Sequence, residues 1–208
     1  MKKNLAIILD AAHGKNVPGK RSPDNSHFEY AWSRLNCSDL YHRLKDLGYE
    51  VTQSVIGDEV PMIRKKDGTV VEDLGSRVSG AENWRTQGKK LLISLHNNAA
   101  SIKPVFSAAT GVEVFTWPGQ SRSDEFAEML IANIGEYFPD IKLRSDITDG
   151  DKDKEERFKV LSGNYMAVLI EWLFMDNKHD LIMLKDRKID KKMQDVIIAS
   201  IEQFNELV

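Results

Sequence analysis

Short, almost continuously apolar segments constrain the fold of this chain more than any other feature. They occupy residues 5–9, 90–96 ("KLLISLH") and 166–174 ("MAVLIEWLF"). Segments of this length without polar alternation are typical of strands buried on both faces of a parallel sheet. Between them, apolar residues recur with helical spacing over residues 28–47 and 121–138. This alternation predicts an α/β fold with three layers, in which helices flank a twisted, mostly parallel central sheet.

The remaining elements follow from turn residues and periodicity. Gly48 is predicted to end the first helix, and residues 49–55 and 111–117 form further strands. Residues 74–88 read as a shorter helix that ends at Gly88, and residues 191–207 as a closing amphipathic helix. The polar, turn-rich segment 58–73 is predicted to be a loop, and the charge-rich segment 139–157 a solvated loop.

Size and composition exclude several classes of protein. The 208 residues are 41% apolar and show no linker, so we expect one domain over residues 1–208, without a separate binding module. A net charge of -3 gives no basic surface for nucleic acid. Cys37 is the only cysteine, which excludes an intrachain disulfide and a cysteine-rich zinc site. No segment approaches the roughly 20 apolar residues of a membrane span.

The first residues imitate a secretion signal. Met1, Lys2 and Lys3 precede an apolar run, but Asp10 interrupts that run before the roughly 7–15 residues of a signal sequence are reached. We therefore interpret this segment as the first strand and expect the protein to be made in the cytoplasm.

Three of the apolar strands carry a polar, chemically active residue within or just after them. These residues are His13, His96 and Glu171. In open α/β sheets, ligands bind beyond the carboxyl ends of the strands, where these side chains would converge. Two imidazoles and one carboxylate form a common catalytic zinc set, and a further carboxylate is needed to move protons. Glu29, at the start of the first helix, is the fourth candidate.

Each candidate has a structural alternative. His13 and His96 are also explained as turn or strand-end residues bonded to backbone. The sequence "SHFE" predicts a capping box in which Glu29 bonds back to Ser26, and His27 is then the alternative ligand. Glu171 has the weakest alternative, because an unpaired carboxylate costs several kcal/mol to bury.

The order of five motifs resembles the zinc-dependent N-acetylmuramoyl-L-alanine amidases of the amidase-3 family. The motifs are "DAAHGK", Glu29 nineteen residues before Gly48 in "LGYEV", the Leu74/Arg77 helix leading to "SLHNNA", "GVEVF", and "VLIEWLFMDN". Two departures are the Ala11-Ala12 pair before His13, where the family has Pro-Gly, and the missing long insertion after His96, which implies an ungated site.

The resemblance implies a site and a reaction. His13, Glu29 and His96 would bind one Zn²⁺ per chain, and Glu171 would be the catalytic carboxylate. The fold would be the phosphorylase/hydrolase-like amidase fold. The reaction would be hydrolysis of the amide between the lactyl group of N-acetylmuramic acid and L-alanine in peptidoglycan. Asp10 is a candidate to orient His13 through its second ring nitrogen.

The resemblance also implies partners and a setting. We expect peptidoglycan or muropeptides as the substrate, and no obligate protein partner. A phage or prophage lysin, reaching the wall through a breached membrane, fits the expected absence of a secretion signal. Two other functions stay open: another zinc peptidase or amidohydrolase on this scaffold, and a non-catalytic peptidoglycan-binding domain. Nitrogen and oxygen ligands also leave the identity of the divalent metal open.

Overall fold

The computed structural model describes residues 3–147 and 150–208. Within these ranges the chain forms eight strands, five α-helices and a short 3-10 helix at Lys159–Leu161. The strands are β1 Leu5–Ala11, β2 Glu50–Gln53, β3 Met62–Arg64, β4 Val70–Glu72, β5 Lys89–Asn98, β6 Val112–Thr116, β7 Lys154–Glu155 and β8 Met166–Phe174. The helices are α1 Glu29–Asp46, α2 Leu74–Asn83, α3 Arg122–Tyr137, α4 Lys178–Leu184 and α5 Arg187–Asn205.

Six strands form the central sheet in the order β2-β1-β5-β8-β6-β7. The pairs β1–β2, β1–β5 and β5–β8 are parallel, and β6 runs antiparallel to β8. The prediction of a mostly parallel sheet is therefore confirmed. Because β1, β5 and β8 are adjacent and parallel, their carboxyl ends lie side by side.

Residues of β1 alternate between two apolar layers. Ile7 packs into the larger core, which includes buried side chains of α1, α3 and α5. Ile8 packs into a smaller core on the opposite face, with Ala81 of α2 and Leu161 of the 3-10 helix. The sheet is thus covered on both faces, as the continuous apolar strands predict.

The prediction of a loop over residues 58–73 is wrong. The strands β3 and β4 pair antiparallel there and form a hairpin. Asp67 and Gly68 lie in its turn, and Gly68 has a φ of 86°. An Asp-Gly turn between short β-forming segments is a hairpin signal, which the high charge of the segment obscures.

Gly88 does not end a helix, as predicted, because α2 already ends at Asn83. A Cβ atom at Gly88 would lie 2.7 Å from the backbone carbon of Leu5. Glycine is therefore needed for the close approach of two chain segments at the start of β5.

The charge-rich segment 139–157 is only partly a solvated loop. It contains the short edge strand β7, and Asp153 is 1% exposed. Thr148 and Asp149 of this segment, and Met1 and Lys2 of the N-terminal segment, lie outside the described residues. Over residues 3–147 and 150–208, every helix is too short or too polar to cross a membrane.

Candidate metal centre

The carboxyl ends of β1, β5 and β8 bring the predicted site residues together. His13 follows β1 by two residues, while His96 and Glu171 lie within β5 and β8. His96 and Glu171 occupy paired register positions on these neighbouring strands. The sheet topology therefore places all three side chains in one region.

His13 is held in an unusual backbone conformation. Its φ is 43°, in the left-handed region that few non-glycine residues adopt. The guanidinium groups of Arg34 and Arg77 both donate hydrogen bonds to its carbonyl oxygen. Its Nδ1 lies 3.0 Å from Oε2 of Glu72. Contacts on both backbone and ring thus fix the direction in which Nε2 points.

Glu29 begins α1 but does not cap it. The N-cap residue is Phe28, which makes no side-chain capping bond, so the capping box, the structural alternative for Glu29, is absent. Ser26 is instead bonded to Ser22 and Asp24 in the preceding turn. This frees the carboxylate of Glu29 to turn towards the sheet.

The carboxylate of Glu29 joins the two histidines. Its Oε1 lies 3.0 Å from Nδ1 of His96 and accepts a hydrogen bond from the Asn97 amide at 3.2 Å. Its Oε2 lies 3.7 Å from Nε2 of His13. This Oε2 is buried and has no hydrogen-bond partner among the described residues.

His13, Glu29 and His96 form a group of suitable metal donors. One ligand atom from each residue lies within 4.8 Å of the others, and the two imidazole rings are perpendicular with centroids 5.1 Å apart. A buried carboxylate oxygen that lacks a hydrogen-bond donor and faces an imidazole nitrogen is suited to bind a cation. The donor set of two nitrogens and one oxygen therefore fits a divalent metal.

The three residues also complement one another electrostatically. Burial lowers the pKa of His13. Burial also disfavours the charged form of His96, but the hydrogen bond and charge of Glu29 outweigh it and raise the pKa of His96. The pKa of Glu29 is lowered to about 2, because the two histidines outweigh its burial. The carboxylate of Glu29 is therefore anionic at neutral pH.

Glu171 lies beside this group without belonging to it. Its Oε2 is buried and makes no hydrogen bond within the described residues. Burial, with the nearby charge of Glu29, raises the pKa of Glu171 to about 7. The side chain lines a cavity of about 160 Å³ together with His13, His96, Lys20, Phe158 and Lys159.

Glu72 and Arg77 hold His13 in place through hydrogen bonds to its ring and its carbonyl oxygen. Arg77 donates to Glu72, to Asp10 at 3.1 Å and to the carbonyl of Ala11 at 2.7 Å. Asp10 does not orient His13, contrary to our expectation, because its carboxylate accepts bonds from Ser54, Ser94 and Arg77. Glu72 takes that position, and no pattern in the sequence points to it, because the charged segment that contains its hairpin resembles a loop.

The other histidines lie outside the group. His27, the alternative ligand, donates from Nε2 to Oδ1 of Asn97 at 2.8 Å and is buried there. Its role is structural, because Asn97 also donates to the carbonyl of Trp172 in β8. His42 and His179 are exposed.

Comparisons with known proteins point to one family. Residues 7–203 match the family model described as N-acetylmuramoyl-L-alanine amidase. A search of curated proteins gives no match.

Solved structures share the fold. An N-acetylmuramoyl-L-alanine amidase from Clostridium difficile 630 is 21% identical with a TM-score of 0.80, covering 99% of this chain and 98% of that one. The CwlD amidase from Clostridioides difficile, solved in complex with the GerS lipoprotein, is 21% identical with a TM-score of 0.79 and full coverage of both chains. The catalytic domain of the CD27L endolysin, which targets Clostridia difficile, is 19% identical with a TM-score of 0.65, covering 95% and 97%.

Proposed function

This chain belongs to the N-acetylmuramoyl-L-alanine amidase family, and we propose that it hydrolyses the lactyl–L-alanine amide of peptidoglycan with one Zn²⁺ held by His13, Glu29 and His96. Glu171 is the catalytic carboxylate in this proposal. One domain over residues 1–208 performs the reaction.

A single observation carries the metal assignment. The buried Oε2 of Glu29 lacks a hydrogen-bond partner and faces Nε2 of His13 at 3.7 Å. A protein interior rarely leaves a carboxylate oxygen in this state unless a cation neutralises it. Two nitrogen ligands and one oxygen ligand suit zinc and leave a coordination position open for catalysis.

Zn²⁺ in this position supplies a Lewis acid that polarises the amide carbonyl and lowers the pKa of water towards about 7. The protein contributes the proton transfers. Glu171 accepts the proton of the attacking water on its unpaired Oε2 and delivers it to the nitrogen of the departing L-alanine. A carboxylate placed beside the reacting amide can perform both steps, acting first as the base and then as the acid.

Glu72 acts through His13 and is a positioning residue. By accepting a hydrogen bond from Nδ1–H at 3.0 Å, its carboxylate selects the tautomer of His13 in which Nε2 carries the lone pair. Arg77 donates hydrogen bonds to both Glu72 and the carbonyl of His13. It thereby connects the hairpin β3–β4 to the segment that follows β1 and carries His13.

The test combines metal content with product analysis. We expect about one zinc per chain by plasma mass spectrometry in protein purified without added metal, and loss of that zinc in His96→Ala. His42→Ala is the matched control, since His42 is exposed and outside the site. Wild-type enzyme should release peptides with a free L-alanine amino group from muropeptides.

Other outcomes would contradict the proposal. Protein that stays free of metal after zinc is supplied would refute the metal site. Cleavage within the stem peptide, with the lactyl amide intact, would indicate another zinc peptidase. Binding of sacculi without any cleavage would indicate a non-catalytic module. A lytic role after release through a breached membrane stays a prediction, supported by the shared fold of the CD27L endolysin.

A further inference from the structure

A second group of acidic side chains is separate from the proposed zinc ligands and does not line the cavity beside them. Asp124 in the first turn of α3, Asp151, and Asp153 just before β7 each bring one carboxylate oxygen within 4.8 Å of the others. Asp124 and Asp153 are only 4% and 1% exposed. Buried carboxylates of like charge repel one another strongly unless a cation or proton compensates them.

Asp124 Oδ2 accepts hydrogen bonds from the amide and hydroxyl of Ser121, and Asp151 Oδ2 accepts one from Gln120, so the shortage of donors lies at Asp153. The Thr116 hydroxyl faces both Asp124 Oδ1, at 3.1 Å, and Asp153 Oδ2, at 2.6 Å, although it has a single proton to donate. Within residues 3–147 and 150–208, neither lysine nor arginine forms an ion pair with any of the three carboxylates. Arg122 and Lys152, which lie close to these residues in the sequence, pair with Glu125 and Glu128 instead.

Unpaired buried oxygens point to a ligand. Oδ1 of Asp153, a residue that is 99% buried, has no donor in the described part of the chain, and the same holds for Oδ1 of Asp151. The two carboxylates are close enough to hydrogen-bond to each other only if one of them holds a proton. Burial and the charges of Asp151 and Asp124 raise the pKa of Asp153 to about 7. Ionised Asp153 is therefore electrostatically uncompensated by the protein itself.

We propose that Asp124, Asp151 and Asp153 bind a Ca²⁺ ion, at a site separate from the catalytic zinc. All the donors are oxygens, which hard cations prefer, and no imidazole or thiol is available to favour zinc. Calcium accepts irregular, carboxylate-rich coordination from a loop, whereas magnesium demands near-ideal octahedral geometry.

The site would stabilise one wall of the active-site cavity. Strand β7 has only two residues, paired with Phe115 and Thr116 of β6, and is weakly held by itself. Asp153 immediately precedes β7, and Phe158 and Lys159 of the cavity follow it by a few residues. A cation that joins Asp153 to α3 therefore fixes the segment that leads into the cavity.

Calcium titration of the zinc-loaded protein, freed of calcium by a chelating resin, tests this proposal. We expect one Ca²⁺ per chain by calorimetry and a rise in Tm of about 5–10 °C at a free Ca²⁺ concentration 100-fold above Kd. Amide hydrogen exchange over residues 150–158 should slow at the same time. Asp151→Asn should lose the shift, and Asp46→Asn, on the exposed end of α1, should keep it.

Asp151 is only partly buried, so its variant should fold even if Asp153→Asn does not. The absence of a calcium-dependent Tm shift in wild type at Ca²⁺ concentrations on the order of 10 mM would overturn the proposal. An undiminished shift in Asp151→Asn would do the same. An equal shift with MgCl₂ would overturn the assignment to calcium. None of these results depends on amidase activity.

Discussion

Glu171 of β8 lies directly beside His96 of β5, in paired register on neighbouring parallel strands. The imidazole nitrogen Nδ1 of His96 faces Glu29, while Oε2 of Glu171 is left without a hydrogen-bond partner. In the proposed mechanism, the sheet therefore presents His96 to the metal and Glu171 to the substrate. Replacing Glu171 alone tests whether catalysis can be lost while metal binding is kept.

Glu171→Gln should abolish proton transfer but not metal binding. The amide has the shape of the carboxylate and cannot accept the water proton, so we expect kcat/KM on muropeptides to fall about 10²–10⁴-fold. Zinc content should stay at the wild-type value, and Tm should not fall, because the change removes an uncompensated buried carboxylate. Glu136→Gln, on the exposed face of α3, is the control. Wild-type turnover in Glu171→Gln would refute the proposed role.

Much of this fold and site could be predicted from the sequence for a physical reason. Parallel strands buried on both faces must be apolar, so a polar residue at or beyond their carboxyl ends stands out, as His13, His96 and Glu171 do. These residues converge because the topology makes β1, β5 and β8 neighbours. Glu29 has a second interpretation from sequence alone, because residues 26–29 also match a capping box.

The supporting contacts could not be predicted in the same way. Glu72 lies in a charged hairpin with little apolar pattern, and its contact with His13 joins residues 59 positions apart. The burial of Asp153 was hidden within a run of charges that resembles a solvated loop. In both cases, tertiary packing decides which charged residue is buried, and the local sequence periodicity does not predict this burial.

Glu72→Ala should weaken zinc binding while leaving all three ligands in place. Loss of the hydrogen bond to Nδ1 frees the ring and tautomer of His13, and such changes typically lower metal affinity 10–100-fold. Zinc affinity measured by competition with a chromogenic chelator is the direct readout. Glu72→Gln should recover part of the affinity, since its amide oxygen can still accept from Nδ1–H. Glu59→Ala, on an exposed loop, should match wild type.

Equal zinc affinity in Glu72→Ala and wild type would show that the contact does not position the ligand. A fall in Tm without a change in zinc affinity would assign Glu72 a purely structural role.

Arg77→Met should destabilise the protein more than any surface arginine variant. Arg77 is 4% exposed and pairs with the buried carboxylates of Asp10 and Glu72. Removing one partner of a buried ion pair leaves uncompensated charge, which costs about 3–5 kcal/mol. Urea unfolding should reveal this loss, whereas the exposed Arg85→Met should change stability by less than about 0.5 kcal/mol. Similar unfolding midpoints for the two variants would contradict the structural role of Arg77.

Calcium binding to the Asp124–Asp151–Asp153 group should depend on pH. The pKa of Asp153 is raised from its ordinary value of 3.8 to about 7. Protonation of Asp153 therefore stabilises the calcium-free protein relative to the calcium-bound protein. That contribution to stability is fully present below about pH 4 and is lost as pH rises through about 7. Calcium must displace the proton, so Kd for Ca²⁺ should be about tenfold weaker at pH 6 than at pH 8.

Calorimetric titrations at pH 6 and pH 8 measure this difference in Kd. The control variant Asp46→Asn, which changes an exposed residue, should show the same difference as wild type. The same titrations in buffers of different ionisation enthalpy should show proton release near pH 6 and little release at pH 8, because Asp153 is already ionised at the higher pH. A Kd that does not change between pH 6 and pH 8, or that is tighter at pH 6, would mean that Asp153 does not exchange its proton for calcium.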